Sequence, residues 1–426
     1  MRLADQLRVT QQLVGALRSQ WWSAQRIRTY QDAALVRVMR HALTRVPFYR
    51  RLNLCADTIS GAADLQRFPL IRKRDVQREP RAFLADGHTP ATSFEARTSG
   101  SSGEPMTTYF DRDSWLFTRY ALKMRRVAAT GGPLLLRRVL LVSEQHPAQL
   151  GTVARAAPHG LGMFFQQRYV SIHTPPELHL DEIERFRPHI IYAFPSYLLD
   201  LVVVAERLGR RLPPTNVLYT SSEVLTQPAR RRIEESFRGR LYDVYGCTEL
   251  KEVAWQCGHG PYHLNFESVH IEPQPPGADA RLVLTTLCNR AMPLLRFDIG
   301  DRAMFHSGPC RCGRAGPCLV EIAGREGEMI TLPSGRHLSP YLMTTAIEAH
   351  ESVRKYQIVQ TGSDAFRVDL VLAGERASPD WQDSLCAELA HIAAEPVQFS
   401  VRVVDEIDRT PGGKRSVFVR AHLAPG

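Results

Sequence analysis

The sequence predicts an α/β fold: a large N-terminal α/β domain with a helical front end and a small C-terminal α+β lid domain. Three observations carry this. From about residue 95 to 320, strand-like runs alternate with helical ones: "RRVLLVS", "HIIYAFP" before "SYLLDLVVVAERLG", "TNVLYTSSE" before "TQPARRRIEESF", then "RLYDVYG". Strand, helix and strand joined by short loops is the pattern of a sheet with crossover helices. Ahead of it, apolar residues recur at helical spacing, as in Leu13, Leu17 and Trp21, then Leu35, Val38, Met39 and Ala42. Behind it, "MTTAIEAH", "VRKYQIVQTG", "AFRVDLVLAG", "WQDSLCAELAHIAA" and "VQFSVRVVDEI" read as helix, two strands, helix and strand, enough for a separate small domain. The expected divisions are a helical extension over 1–90, a core over 91–323 and a mobile lid over 324–426.

Composition narrows the function classes. With 426 residues, 44% hydrophobic and 23% charged, the chain can bury more than one core. It has no apolar run near the roughly eighteen residues of a membrane span and no signal-peptide stretch, so it is expected to be soluble and cytoplasmic, with no membrane insertion. The formal charge is +10, but five lysines stand against 49 arginines, and the arginines are scattered with no dense basic tract. That pattern argues against nucleic acid and suits an anionic small molecule.

Eight cysteines occur, at 55, 247, 257, 288, 310, 312, 318 and 386. In such a chain, reduced thiols or a metal site are expected over disulfides. "CGHGPYH" (257–263) and "CRCGRAGPC" (310–318) bring Cys257, His259, His263, Cys310, Cys312 and Cys318 into two short segments. These can close a tetrahedral zinc site or remain core thiols.

Six short motifs follow one another: "TSGSSGEP" (98–105), "YTSSE" (219–223), "DVYGCTEL" (243–250), "RFDIGDRA" (296–303), "AGREGEM" (323–329) and "RTPGGKR" (409–415). The first reads alone as a surface turn or as a phosphate cradle, since glycines allow close backbone approach and hydroxyls with exposed amides surround phosphate oxygens. In this order, and with "RVPFYRRL" and "LQRFPLIRKRDVQ" ahead of them, the six resemble the adenylate-forming ligases, which activate a carboxylic acid with ATP. The phenylacetate-CoA ligase group and its capsule-synthesis relatives are most similar.

The resemblance implies roles. Thr98, Ser99, Gly100, Ser101, Ser102 and Gly103 hold the ATP phosphates, with Glu104 where many relatives carry lysine. Thr248 bonds the α-phosphate and Glu249 holds Mg2+, a hard cation suited to a carboxylate. Ser222, Glu223, Tyr245 and Gly246 lie along the nucleotide, while Asp301 and Arg325 meet the ribose. Lys414 bridges the acid and the α-phosphate, a task for a compact cation. Gly327 stands at the hinge position in place of the usual charged residue, and Tyr192, Phe194 and Pro195 face the acid. Cys257, His263, Cys310 and Cys312 are the expected Zn2+ ligands, with His259 and Cys318 in reserve. The implied reaction makes an acyl-adenylate from an acid, an aryl or arylacetic acid being expected, and passes the acyl group to coenzyme A. Two other readings are an amine or hydroxyl acceptor in place of coenzyme A, and a non-catalytic nucleotide- or zinc-binding protein.

Overall fold

A computed structural model of the chain describes residues 3–98, 105–135, 137–143, 165–275, 279–306, 308–325, 329–348, 350, 352–372, 379–408 and 416–421. Contacts divide it into two units. The first holds the described residues of Met1–Arg137, Ala157–Gln166 and Tyr242–Ile322, the second those of Arg138–Ala156, Gln167–Leu241 and Ala323–Gly426.

In the first unit the expected front helices form over Leu3–Ser19 and Ala24–Arg45. Ser23 caps the second by accepting the Arg26 amide, and its buried stripe of Ile27, Ala34, Leu35, Val38, Met39 and Ala42 follows helical spacing. Leu35, Val38, Met39 and Ala42 of that stripe join Phe68, Ile71, Leu282, Leu284 and Phe297 in one apolar core, so the second front helix covers the sheet. The sheet runs in the order Val269–Gln274, Asp279–Thr286, Phe297–Phe305, Cys318–Arg325, Tyr262–Leu264, Lys251–Gln256, Arg240–Cys247. Its hairpins are antiparallel, and Ile71–Arg72 adds a short parallel partner to Phe297–Phe305. A separate hairpin, Phe94–Arg97 with Thr107–Phe110, leads into a helix over Arg112–Leu116, a π-helical turn over Phe117–Ala121 and a further helix over Leu122–Ala129. That last helix is anchored by two buried ion pairs, Arg125 with Glu267 and Arg126 with Glu252.

In the second unit, strands Val217–Ser221, Ile190–Ala193, Arg137–Ser143 and Phe165–Ser171 lie in that order. The first three run parallel, as the strand–helix alternation requires. Helices Glu177–Phe186, Pro195–Arg207 and Gln227–Phe237 cover them, and Leu198, Leu201, Ile183, Ile233 and Phe237 fill the space between. Pro195 opens its helix at the position where a missing amide costs nothing. The C-terminal segment forms the predicted small sheet, ordered Gln398–Val403, Ala365–Leu372, Val353–Gln360, Phe418–Arg420. Helices Pro340–Glu348 and Pro379–Ala393 pack on it around Ile358, Val368, Leu385 and Leu389.

Candidate nucleotide and metal sites

The "DVYGCTEL" motif builds a tight hairpin in the first unit. Strand Arg240–Cys247 turns through Thr248, Glu249 and Leu250 into strand Lys251–Gln256, with Cys247 opposite Lys251. A register shift falls between Tyr245 and Gly246, and a Cβ at Gly246 would stand 2.4 Å from the Lys251 carbonyl oxygen, so only glycine fits there. The turn leaves Thr248 and Glu249 half-buried at its tip. One strand turn earlier, the Tyr245 hydroxyl donates to Asp301 Oδ2 at 2.7 Å, and both residues are buried. Two motifs separated by 56 residues in the chain are thus joined by one hydrogen bond. Asp298, in the same "RFDIGD" run, has a different environment, paired with Arg72 and Arg281.

Thr98 closes the base of the Ser/Gly run, accepting the Met106 amide at 2.7 Å on its hydroxyl and donating its own amide to the Met106 carbonyl. Ser99, Gly100, Ser101, Ser102 and Gly103 lie outside the described residues, as do Gly327 and Lys414. Arg325 ends strand Cys318–Arg325, and its side chain is also outside them.

In the second unit Glu223 has a position the sequence did not suggest. Its carboxylate accepts the Ser196 amide and the Ser196 hydroxyl, both at 2.9 Å, at the N-terminus of helix Pro195–Arg207, where negative charge is favoured. Ser222 beside it adopts φ 72°. Tyr192 is half-buried and donates to Ser221 Oγ at 2.8 Å, while Phe194 and Pro195 are buried, Phe194 in the apolar core. Of the three residues expected to face an acid, Tyr192 alone keeps partial exposure.

The two cysteine segments come together in the fold. Ligand atoms of Cys257, His263, Cys310 and Cys312 all lie within 4.8 Å of one another. Cys257 and Cys310 Sγ are 3.6 Å apart, and Cys312 Sγ is 3.2 Å from His263 Nε2. Two thiolates about 2.3 Å from one tetrahedral zinc stand roughly 3.8 Å apart, so the spacing fits that ion, as does a donor set of three thiolates and one imidazole. The Gly260 amide donates to the Cys257 carbonyl and the Gly313 amide to that of Cys310, giving each sulfur the same kind of tight turn. Of the reserves, His259 is exposed and contributes its backbone amide to Cys257 Sγ at 3.5 Å. Cys318 sits 3.3 Å from His263 Nδ1, on the far side of the ring from Cys312. Burial pushes the Cys257 thiol up to about 12 and the His263 imidazolium down to about 4, which keeps the ring neutral as a ligand must be. Burial also raises Cys312, but hydrogen bonds from the Arg314 backbone and guanidinium outweigh it and leave that thiol below its usual range.

Two residues were not singled out in advance. Arg314, buried, lies 4.6 Å over Trp21 and 5.2 Å over Trp255 and tunes Cys312. Lys251 places Nζ 4.8 Å from the Phe110 ring centroid and 5.0 Å from that of Trp115. Burial, with the neighbouring Arg119 guanidinium, pulls its ammonium down to about 8. The rarity of lysine was the available signal, since it made each of the five conspicuous.

Comparison with known proteins finds relatives in sequence and in fold. Residues 330–421 match the family described as the CapK C-terminal domain. A phenylacetate-coenzyme A ligase of Thermus thermophilus is 26% identical over 361 residues, 79% of this chain and 78% of its own. Protein CapK of Staphylococcus aureus is 23% identical over 56% of this chain and 54% of its own. Among solved structures, a 2-hydroxyisobutyryl-CoA ligase in the postadenylation state superposes with a TM-score of 0.79 at 18% identity, covering 94% of this chain and 91% of that one. Among the described residues no helix is long and apolar enough to cross a membrane. The chain is similar over most of its length to phenylacetate-CoA ligases and over about half of it to CapK, and its fold is that of the adenylate-forming ligases.

Proposed function

We propose that this enzyme uses ATP to convert a carboxylic acid, aryl or arylacetic in character, into an acyl-adenylate and then passes the acyl group to coenzyme A. The observation that carries the reading is the joined pair of motifs, Tyr245 bonded to Asp301 beside the Thr248–Glu249 turn, in a chain related over most of its length to a named CoA ligase. In the first step a substrate carboxylate oxygen attacks the α-phosphorus of ATP and the bond to pyrophosphate breaks. In the second, a thiol sulfur attacks the acyl carbon, AMP departs and the thiol proton passes to solvent. Two anions must meet in the first step, so the barrier lies in positioning them and in offsetting charge that grows on phosphate and pyrophosphate.

The residues divide that work. The hydroxyls and amides of 98–103 hold the phosphates, and the Thr248 hydroxyl donates to the α-phosphate. The Glu249 carboxylate would hold Mg2+, which when bound neutralises phosphate charge. Asp301 accepts the ribose hydroxyls, with Arg325 as a second ribose contact, and Ser222, Glu223, Tyr245 and Gly246 line the nucleotide. Lys414 aims its charge at the pentavalent α-phosphorus. Gly327 supplies the backbone freedom for the lid to change posture between the two steps. Tyr192, Phe194 and Pro195 border the acid. Zn2+ on Cys257, His263, Cys310 and Cys312 would be structural, since four protein ligands leave it no open position for substrate.

The test is pyrophosphate release across a panel of carboxylic acids, with and without coenzyme A, for wild type and Lys414→Ala. The variant is expected to lose adenylation by a factor on the order of 10² or more while still binding ATP, because a charge aimed at the transition state is gone. Near wild-type release would remove Lys414 from this role. Adenylate formation without acyl-CoA would redirect the acyl group to an amine or hydroxyl acceptor.

A further inference from the structure

Lys251 is an unusual place for an ammonium group. Its backbone has φ 67°, a left-handed conformation that a long side chain adopts at a cost and that gathers at functional positions. The amine is half-buried, and among the described residues no carboxylate lies within ion-pair distance of it. Its neighbours are the faces of Phe110 and Trp115. Trp115 is itself stacked on Phe94 at 5.2 Å with an interplanar angle of 9°. A second cation, Arg119, lies 6.0 Å over the same Trp115 ring and is exposed. Arg119 comes from the π-helical turn Phe117–Ala121, an irregularity found frequently at functional sites. Two like charges against one aromatic ring repel, and a bound anion would relieve both.

Position decides which anion. Lys251 is two residues from Glu249, so their Cα atoms are at most about 7 Å apart, within reach of one small molecule. The phosphate loop leaves the hairpin at Thr98 and Met106, whereas the rings that hold the amine belong to Phe110 and to the helix beyond it. Four residues of strand separate Met106 from Phe110, roughly 13 Å. The rings that hold the amine are thus set back along the strand from the base of that loop.

We propose that Lys251 and Arg119, on the Phe110–Trp115 platform, form a subsite for a second anionic group on the acid, so that the acid activated is a dicarboxylate. This rests on the acid-activation reading above. The distal carboxylate would pair with both cations while the proximal one reacts beside Thr248 and Glu249. A charge-assisted contact of this kind discriminates against the matching monoacid by about tenfold or more.

ATP–pyrophosphate exchange with matched acids tests it: 4-carboxyphenylacetate against phenylacetate, and adipate against hexanoate. In wild type, kcat/KM is expected to favour the dicarboxylate in at least one pair by about tenfold. Lys251→Met should collapse that ratio through KM for the acid, with KM for ATP held, and Lys251→Arg should retain most of it. Equal rates within both pairs, a ratio that survives in Lys251→Met, or a rise in KM for ATP in place of that for the acid would overturn the proposal. Exchange with none of these acids would count against acid activation itself. Calorimetric titration of 4-carboxyphenylacetate and adipate into wild type and Lys251→Met then decides the subsite separately: binding lost in the variant supports it, and no binding by wild type overturns it.

Discussion

Around Leu198 and Leu201, twenty buried apolar side chains, all among the described residues, form one core between parallel strands and their covering helices. Around Cys257 the buried cluster is Trp255 with Cys257, Cys310 and Cys318, and little else is apolar. The first region follows from local pattern: "SYLLDLVVVAERLG" and "HIIYAFP" each carry enough apolar surface to stabilise their element against its neighbours. The second has two short, glycine-containing segments whose side chains cannot exclude enough water to hold a shape. There four ligand atoms converge from positions 257, 263, 310 and 312. The difference teaches that where local apolar surface is scarce, stability depends on which polar side chains meet in space, here a set of four that would suit one metal ion.

The contrast can be broken most forcefully at the sulfurs. Purified protein is expected to carry about one zinc per chain, measured by elemental analysis, as one four-ligand site requires. Replacing Cys310 and Cys312 together by serine, or removing the metal with a strong chelator, should lower the melting temperature by roughly 10 °C or more, because metal binding there contributes folding energy. Metal-free protein of unchanged stability would return these cysteines to simple packing.

The apolar region should behave in the opposite way. Leu201→Ala leaves a cavity among fully buried neighbours and is expected to cost about 2–5 kcal/mol in denaturant unfolding. The loss should be the same with and without chelator. A chelator-dependent loss would mean that the two regions do not stabilise the chain independently.

The smallest effect is expected where one directional bond stands inside a large apolar core. Tyr245→Phe keeps the ring and removes only the hydroxyl that donates to Asp301. Stability should fall by about 0.5–1.5 kcal/mol, the net worth of a typical hydrogen bond. KM for ATP should rise a few-fold as Asp301 loses its fixed orientation. A change in kcat alone would place the hydroxyl at the reacting atoms instead.

The sequence alone determined the layout of elements, because helix and strand periodicities are local. The front helices, the strands and helices read from 190 to 247 and the five C-terminal elements fall where apolar spacing put them, whereas strand Phe165–Ser171, helix Glu177–Phe186 and strand Phe418–Arg420 were not read from it. It also determined which cysteines and histidines to group, since eight cysteines in 426 residues, five of them between 257 and 318, make a conspicuous minority. The order of the motifs was legible for the same reason: each is a short, unusual string.

Tertiary structure decided the pairings. Glu223 reads in sequence as a nucleotide contact, and only the fold adds that its carboxylate meets Ser196, 27 residues away, where a helix N-terminus with unsatisfied amides has been brought to it. Tyr245 meets Asp301 across 56 residues, and Arg125 meets Glu267 across 142. His263 has Cys312 on one ring nitrogen and Cys318 on the other, a choice that spacing left open among six candidates. Lys251 shows the limit most clearly. Its sequence neighbours say nothing of Phe110 or Trp115, which come to it from a hairpin and helix more than a hundred residues earlier. Periodicity encodes which face of an element is buried, but the partner of a polar group on that face is fixed only when another element arrives, and the cost of burying it unpaired then selects the arrangement.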